Sequence, residues 1–136
     1  MQQKKSVPRG IRNKNPLNIR IGNTWLGEVQ QPTDLEFEQF VSMEYGCRAA
    51  FVLLRRYIRR FGRNTIRKII STWAPSSENN TAKYIEKVSK ATGIGADDVI
   101  AYEDFKTMVK IVCAMAYVEN GEEIDQSIVE RGYKLA

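Results

Sequence analysis

The run Asp104-Phe105-Lys106-Thr107-Met108-Val109-Lys110-Ile111-Val112-Cys113-Ala114-Met115-Ala116-Tyr117-Val118-Glu119-Asn120-Gly121 decides the fold. Phe105, Met108, Val109, Val112, Met115 and Ala116 recur at spacings of three and four, the period of one helix face. Asp104 supplies an N-cap and Asn120-Gly121 a stop, so the run reads as a long helix with a buried stripe. Glu119 falls in the same phase, which aims its carboxyl toward the core side. It also stands at the helix C-terminus, where the dipole disfavours a negative charge. Partial burial acts in the same direction, and both favour the neutral acid, the form that can protonate a glycosidic oxygen. The alternative is a frayed helix end with Glu119 in solvent.

Upstream, the same period recurs. From Glu44, the residues Cys47, Ala50, Phe51, Leu54, Tyr57, Ile58 and Phe61 share a face, and Arg48, Arg55, Arg56, Arg59 and Arg60 cover much of the rest. Gly62 ends this helix. Asn64 or Thr65 caps a shorter one with Ile66, Ile69, Ile70 and Trp73, stopped at Ala74-Pro75. A start signal over 76–81 leads into Tyr84, Ile85 and Val88, with a stop at Gly93. Residues 94–102 read as a loop or short helical turn. Downstream, a last helix runs from Asp125 to about Lys134.

Residues 10–43 lack this period and are rich in turn formers. Leu17 to Ile21 and Leu35 to Val41 suit short strands, with Leu35, Phe37 and Val41 alternating with Glu36 and Glu38. The predicted fold is therefore mainly α with a small N-terminal β-hairpin or meander, an α+β arrangement. A flexible basic lead-in, 1–9, precedes one domain, 10–136, with its hairpin region at 10–43 and its helical region at 44–136.

A chain of 136 residues, 43% apolar and 27% charged, fits one globular domain. It has no histidine, which excludes Ser-His-Asp and Cys-His nucleophile pairs and histidine zinc sites. Two cysteines exclude a four-thiolate metal site, and both sit in or beside apolar stripes, as reduced core residues do. No metal or cofactor is expected, and proton transfer falls to carboxylates, tyrosines or lysines. No hydrophobic signal region follows the basic Met1 to Lys5, and no apolar run reaches membrane-spanning length. The expectation is a soluble protein made in the cytoplasm, without a membrane partner. The net charge of +5 is unevenly spread: residues 45–77 are basic without an acid, whereas 97–130 are mostly acidic. A basic face attracts polyanions, although a charge run also serves simply as a solvated helix face.

Two further segments carry side chains suited to sugars. In residues 10–20, Asn15, Asn18 and Arg20 offer amides and a guanidinium to acetamido, hydroxyl and carboxylate groups, and Trp25 follows as a stacking surface. Taken singly, such asparagines serve tight turns. Between two helices, Trp73, Glu78, Asn79 and Tyr84 fall within twelve residues and suit a groove wall, though Pro75 and Asn79 to Thr81 also act as helix stop and start.

Gly-Ile-Arg-Asn-x-Asn-Pro-x-Asn-Ile-Arg (10–20), Trp25 to Gly27, Phe37-x-x-Phe40, Gly46-x-Arg48-Ala49 and Trp73-Ala74-Pro75-x-x-Glu78-Asn79-x-Thr81-x-x-Tyr84 together resemble a phage and prophage family of virion structural proteins. Asn15 to Arg20, Phe37 to Ser42 and Trp73 to Tyr84 are also similar to motifs of bacterial glucosaminidases with a lysozyme-like fold. In those enzymes the catalytic acid ends an upstream helix reading Ala-x-x-Glu-Ser-Gly. Only fourteen residues precede Asn15, but Ala114 to Gly121 resembles that helix. The resemblance implies a lysozyme-like domain in circularly permuted order, with Glu119 as general acid opposite the Asn15 to Arg20 segment. Goose-type lysozymes and lytic transglycosylases, which share the broader fold, use one glutamate as acid and then base.

For a second carboxylate, Asp34, Glu36, Glu38 and Glu44 are available. Glu44 is the candidate named, with a separate explanation as an acid in a first helical turn. Carboxyls about 5–5.5 Å apart suit a retaining route and about 6.5–9.5 Å an inverting one.

Three functions follow. The first is cleavage of peptidoglycan glycan strands, a lysozyme or lytic transglycosylase activity, by a phage-derived domain. The second is a non-catalytic virion structural or peptidoglycan-binding protein keeping the same groove. Its partners are the wall polymer and other virion proteins, reached through phage machinery. The third is nucleic-acid binding through the arginine-rich helix, ranked last because Tyr57, Ile58 and Phe61 are assigned to the buried stripe and leave no exposed aromatic for stacking.

Overall fold

The computed structural model describes residues 6–76 and 80–136. Six helices follow in order: α1 (Arg9–Arg12), α2 (Met43–Phe61), α3 (Ile66–Trp73), α4 (Thr81–Thr92), α5 (Phe105–Asn120) and α6 (Gln126–Leu135). The caps follow from the residue types. Ser42, Thr65, Asn80, Asp104 and Asp125 each accept a hydrogen bond from a backbone N–H of the first turn that has no partner within the helix. Gly62, Gly93 and Gly121 close α2, α4 and α5 in the left-handed conformation.

α5 lies at the centre, against α1, α2, α4 and α6. Besides the expected stripe it buries Ile111 and Ala114, so it is apolar on more than one face. Phe51 and Leu54 from α2, Ile66, Ile69 and Ile70 from α3, Val88 from α4 and Val129 from α6 complete the main core. Each large side chain so buried contributes about 1.5–3 kcal/mol. Cys47 and Cys113 are free thiols, pushed up to about 12 and about 11 by burial, as expected of reduced core cysteines.

Residues 13–42 form an irregular layer, and here the hairpin expectation is corrected. Among the described residues there is no strand, only isolated antiparallel bridges pairing Arg20 with Phe37 and Glu28 with Phe40. The backbone is satisfied by side chains instead of a ladder. The Asn15 amide donates to the carbonyls of Ile19 and Glu38 and accepts from the Ile19 N–H. Glu28 accepts from the Trp25 N–H, and Gln39 from the N–H groups of Thr33 and Asp34. The expected alternation also fails: Leu35 is 91% exposed and Val41 is exposed, whereas Glu38 is buried. A second, smaller cluster of Ile19, Trp25, Phe40 and Ala49 anchors the layer instead.

Residue 9, assigned by the sequence to the basic lead-in, is folded into this layer. The Arg9 guanidinium makes two 2.7 Å hydrogen bonds to Asp34, which also accepts from the Asn13 amide. These donors, with the backbone N–H groups of Glu36 and Phe37, hold the Asp34 carboxyl well below the usual carboxylate range. Among the described residues, no helix is long and apolar enough to cross a membrane.

Candidate active site

Glu119 is half-buried in the last turn of α5, and its two carboxylate oxygens face different elements. Oε1 accepts a 3.0 Å hydrogen bond from Nδ2 of Asn18 in the irregular layer. Oε2 accepts a 2.9 Å hydrogen bond from the hydroxyl of Tyr84 on α4. Asn18 reaches this position through a left-handed backbone, φ 54°, which asparagine tolerates better than most residues. Its other amide atom, Oδ1, is buried without a hydrogen-bond partner, so an acceptor beside the carboxylate is unfilled.

Tyr84 is buried, and its hydroxyl lies 2.9 Å from Glu119 and 3.5 Å from the Met115 carbonyl one turn earlier on α5. Burial and the adjacent Glu119 carboxylate push the phenol well above its usual range, so it stays protonated. Neighbouring Asn120 locks the geometry. Its amide donates 2.9 Å hydrogen bonds to the carbonyls of Pro16 and Ala116, tying the layer that carries Asn18 to the end of α5.

Of the side chains singled out from sequence, three thus meet: Glu119, Asn18 and Tyr84. The others among the described residues make different contacts. Asn15 is fully buried and spends its amide on backbone groups, and Trp25 is a core residue of the small cluster. Trp73 is half-buried between the two clusters, edge-on to Tyr57. Arg20 is exposed, over the Phe37 ring and 3.6 Å from Glu36. Glu44 stands in the first turn of α2 with its carboxylate 3.2 Å from Arg131 of α6. Glu78 and Asn79 lie outside the described residues.

Glu38, one of the acids available as a second carboxylate, stands beside Glu28, a pairing the sequence did not show. Glu38 is 7% exposed, its Oε2 has no hydrogen-bond partner, and it shares a hydrogen bond with Glu28. Burial first, and the Glu28 carboxyl second, push Glu38 up to about 7. The bridge between Glu28 and Phe40 brings the two acids together, a pairing that alternation could not signal. A cavity of about 1050 Å³ is an open groove lined by Lys87, Lys90, Lys110, Cys113 and Tyr117 among others; Glu119 is not in its lining.

Fold and site define a small, mainly α-helical domain whose candidate centre is one helix-terminal glutamate held by an amide and a phenol. No family model matches the chain. It is 38% identical over 117 residues to Protein P5 of Pseudoalteromonas phage PM2, an alignment that covers 83% of this chain and 71% of that protein. The chain belongs to the family of that phage protein.

Proposed function

We propose that this phage-family protein cleaves the glycan strands of peptidoglycan, with Glu119 as the acid that protonates the glycosidic oxygen and then as the base that accepts a proton back. The observation that carries this reading is the meeting of Asn18, Tyr84 and Glu119, 101 and 35 positions apart in sequence, on one carboxylate. The Asn18 contact supports the permuted order of lysozyme-like parts, which brings Glu119 opposite the Asn15 to Arg20 segment.

A tyrosine hydroxyl both donates and accepts. When Glu119 is ionised, Tyr84 donates to Oε2; when Glu119 holds a proton, the same hydroxyl accepts from it and turns its own hydrogen toward the Met115 carbonyl. A second reading, a virion structural protein without chemistry, is favoured by the burial of Asn15 and Trp25, which takes two side chains assigned to sugar contact out of reach.

Digestion of purified peptidoglycan by wild type and Glu119→Gln, with the products resolved by mass spectrometry, tests both. Cleavage predicts muropeptide release by wild type and a loss of about 100-fold or more in the variant, the scale of a removed general acid. Release that survives the substitution removes Glu119 from its role. No release by either protein and no sedimentation with the wall polymer supports the structural reading.

A further inference from the structure

The end of α2 carries a second surface. Phe61, assigned by its spacing to the buried stripe, is 56% exposed, because the last turn of α2 runs past the core that Phe51 and Leu54 fill. The Arg60 guanidinium lies over its ring, 5.8 Å from the centroid, a cation–π distance. Arg56, one turn before Arg60, and Arg63, just past Gly62, are exposed and make no ion pair among the described residues. Arg63 is held in place by its backbone, whose N–H donates to the Tyr57 carbonyl across the left-handed Gly62.

The acids of the neighbouring segment are already engaged. Glu103 pairs with Arg59, Asp97 with Arg67, and Asp98 accepts from the Gly95 N–H. Arg55 and Arg59 are spent on the Tyr102 ring. The acidic segment after residue 97 thus neutralises one side of the arginine-rich helix and leaves Arg56, Arg60 and Arg63 exposed near its end, with Arg60 over the exposed Phe61 ring.

We propose that this surface binds single-stranded nucleic acid, the arginines contacting phosphates and Phe61 stacking on a base. Unpaired arginines alone would suit any polyanion. A large exposed ring near them adds a flat apolar face, the element that distinguishes a strand with unstacked bases from duplex. The surface is built from α2 and the α2–α3 link, whereas Glu119 is approached from α4 and the 13–42 layer, so the two sites are separable.

The test is fluorescence anisotropy of the full chain with a labelled single-stranded oligonucleotide of about 12 nucleotides, over a salt series. Three phosphate contacts predict a log–log salt slope of about −2, falling by about 0.7 in Arg63→Ala. Phe61→Ala is expected to lower affinity by about fivefold or more, Phe61→Tyr to retain it, and Glu119→Gln to leave it unchanged. Circular dichroism checks that each variant is folded. No saturable binding at low salt, affinity indifferent to Phe61, equal binding of duplex, or binding of phosphatidylglycerol vesicles in place of the oligonucleotide would each overturn the proposal. Loss of binding in Glu119→Gln would overturn the separation of the two sites.

Discussion

At the scale of single residues, Glu38 is the side chain whose chemistry departs furthest from its surroundings. It is a buried acid among Ile19, Trp25 and Phe40, the residues of the small cluster that its own segment helps to build. Its carboxyl is pushed up to about 7, from a usual value near 4.5, by burial and by Glu28. Between those two values the folded chain keeps a proton that the unfolded chain has released. Stability therefore falls as pH rises from about 4.5 to 7, and stays at the lower level above. Glu38→Gln removes the ionisation while keeping the shape. Urea unfolding across this range should show a flatter profile for the variant, and at pH 8 a gain on the order of 1 kcal/mol over wild type. An unchanged profile would mean that Glu38 is solvated in both states.

At the scale of elements, α2 and α6 form the broadest helix contact, and Gly132 permits it. A methyl group at that position would overlap Cβ of Cys47 and crowd the backbone of Arg48. Gly132→Ala should cost about 1–3 kcal/mol, the usual range for overpacking, read as a lower urea midpoint with an unchanged slope. Helices α2 to α6 were legible in sequence because their signals are local: Thr65, Asn80, Asp104 and Asp125 cap, glycines stop, and apolar residues repeat; α1, a single turn inside the turn-rich segment, was not. The close approach of Gly132 was not, because it depends on which helix arrives opposite. The layer 13–42 was misread for a related reason. Its core includes Trp25, and its polar interior consists of Asn15, Asp34 and Glu38, none of which a two-residue alternation marks as buried. Phe61 was misread in the opposite sense, since periodicity assigns a face but does not say where the opposing core ends. Within the candidate site, Glu119 was legible from the phase of α5. Its partner Asn18 was named only as a general sugar contact, because a positive φ at a non-glycine residue leaves no periodic trace.

At the scale of the whole molecule, the irregular layer and the helical body are joined at the end of α5, and that junction is also where Asn18 meets Glu119. Asn120 is the main polar link, with its amide between Pro16 of the layer and Ala116 of the helix. The approach is close enough that a side-chain carbon at Gly10 would overlap Oδ1 of Asn120. Substituting Asn120 by alanine leaves the Pro16 carbonyl, at a buried residue, without this donor, a cost of about 1–3 kcal/mol. Because Asn18 lies two residues beyond Pro16, loosening this link should also shift the amide away from Glu119, although Glu119 and Tyr84 remain joined through α4 and α5. Asn120→Ala is therefore expected to lower the urea midpoint and to raise amide hydrogen exchange across residues 15–20 more than across 84–88. If exchange rises equally in both segments, the layer and the helical body open as one unit and Asn120 is an ordinary core contact. If it rises only in the layer, the junction is a hinge between two parts of the same domain. In that case the geometry at Glu119 depends on contacts outside its own helix.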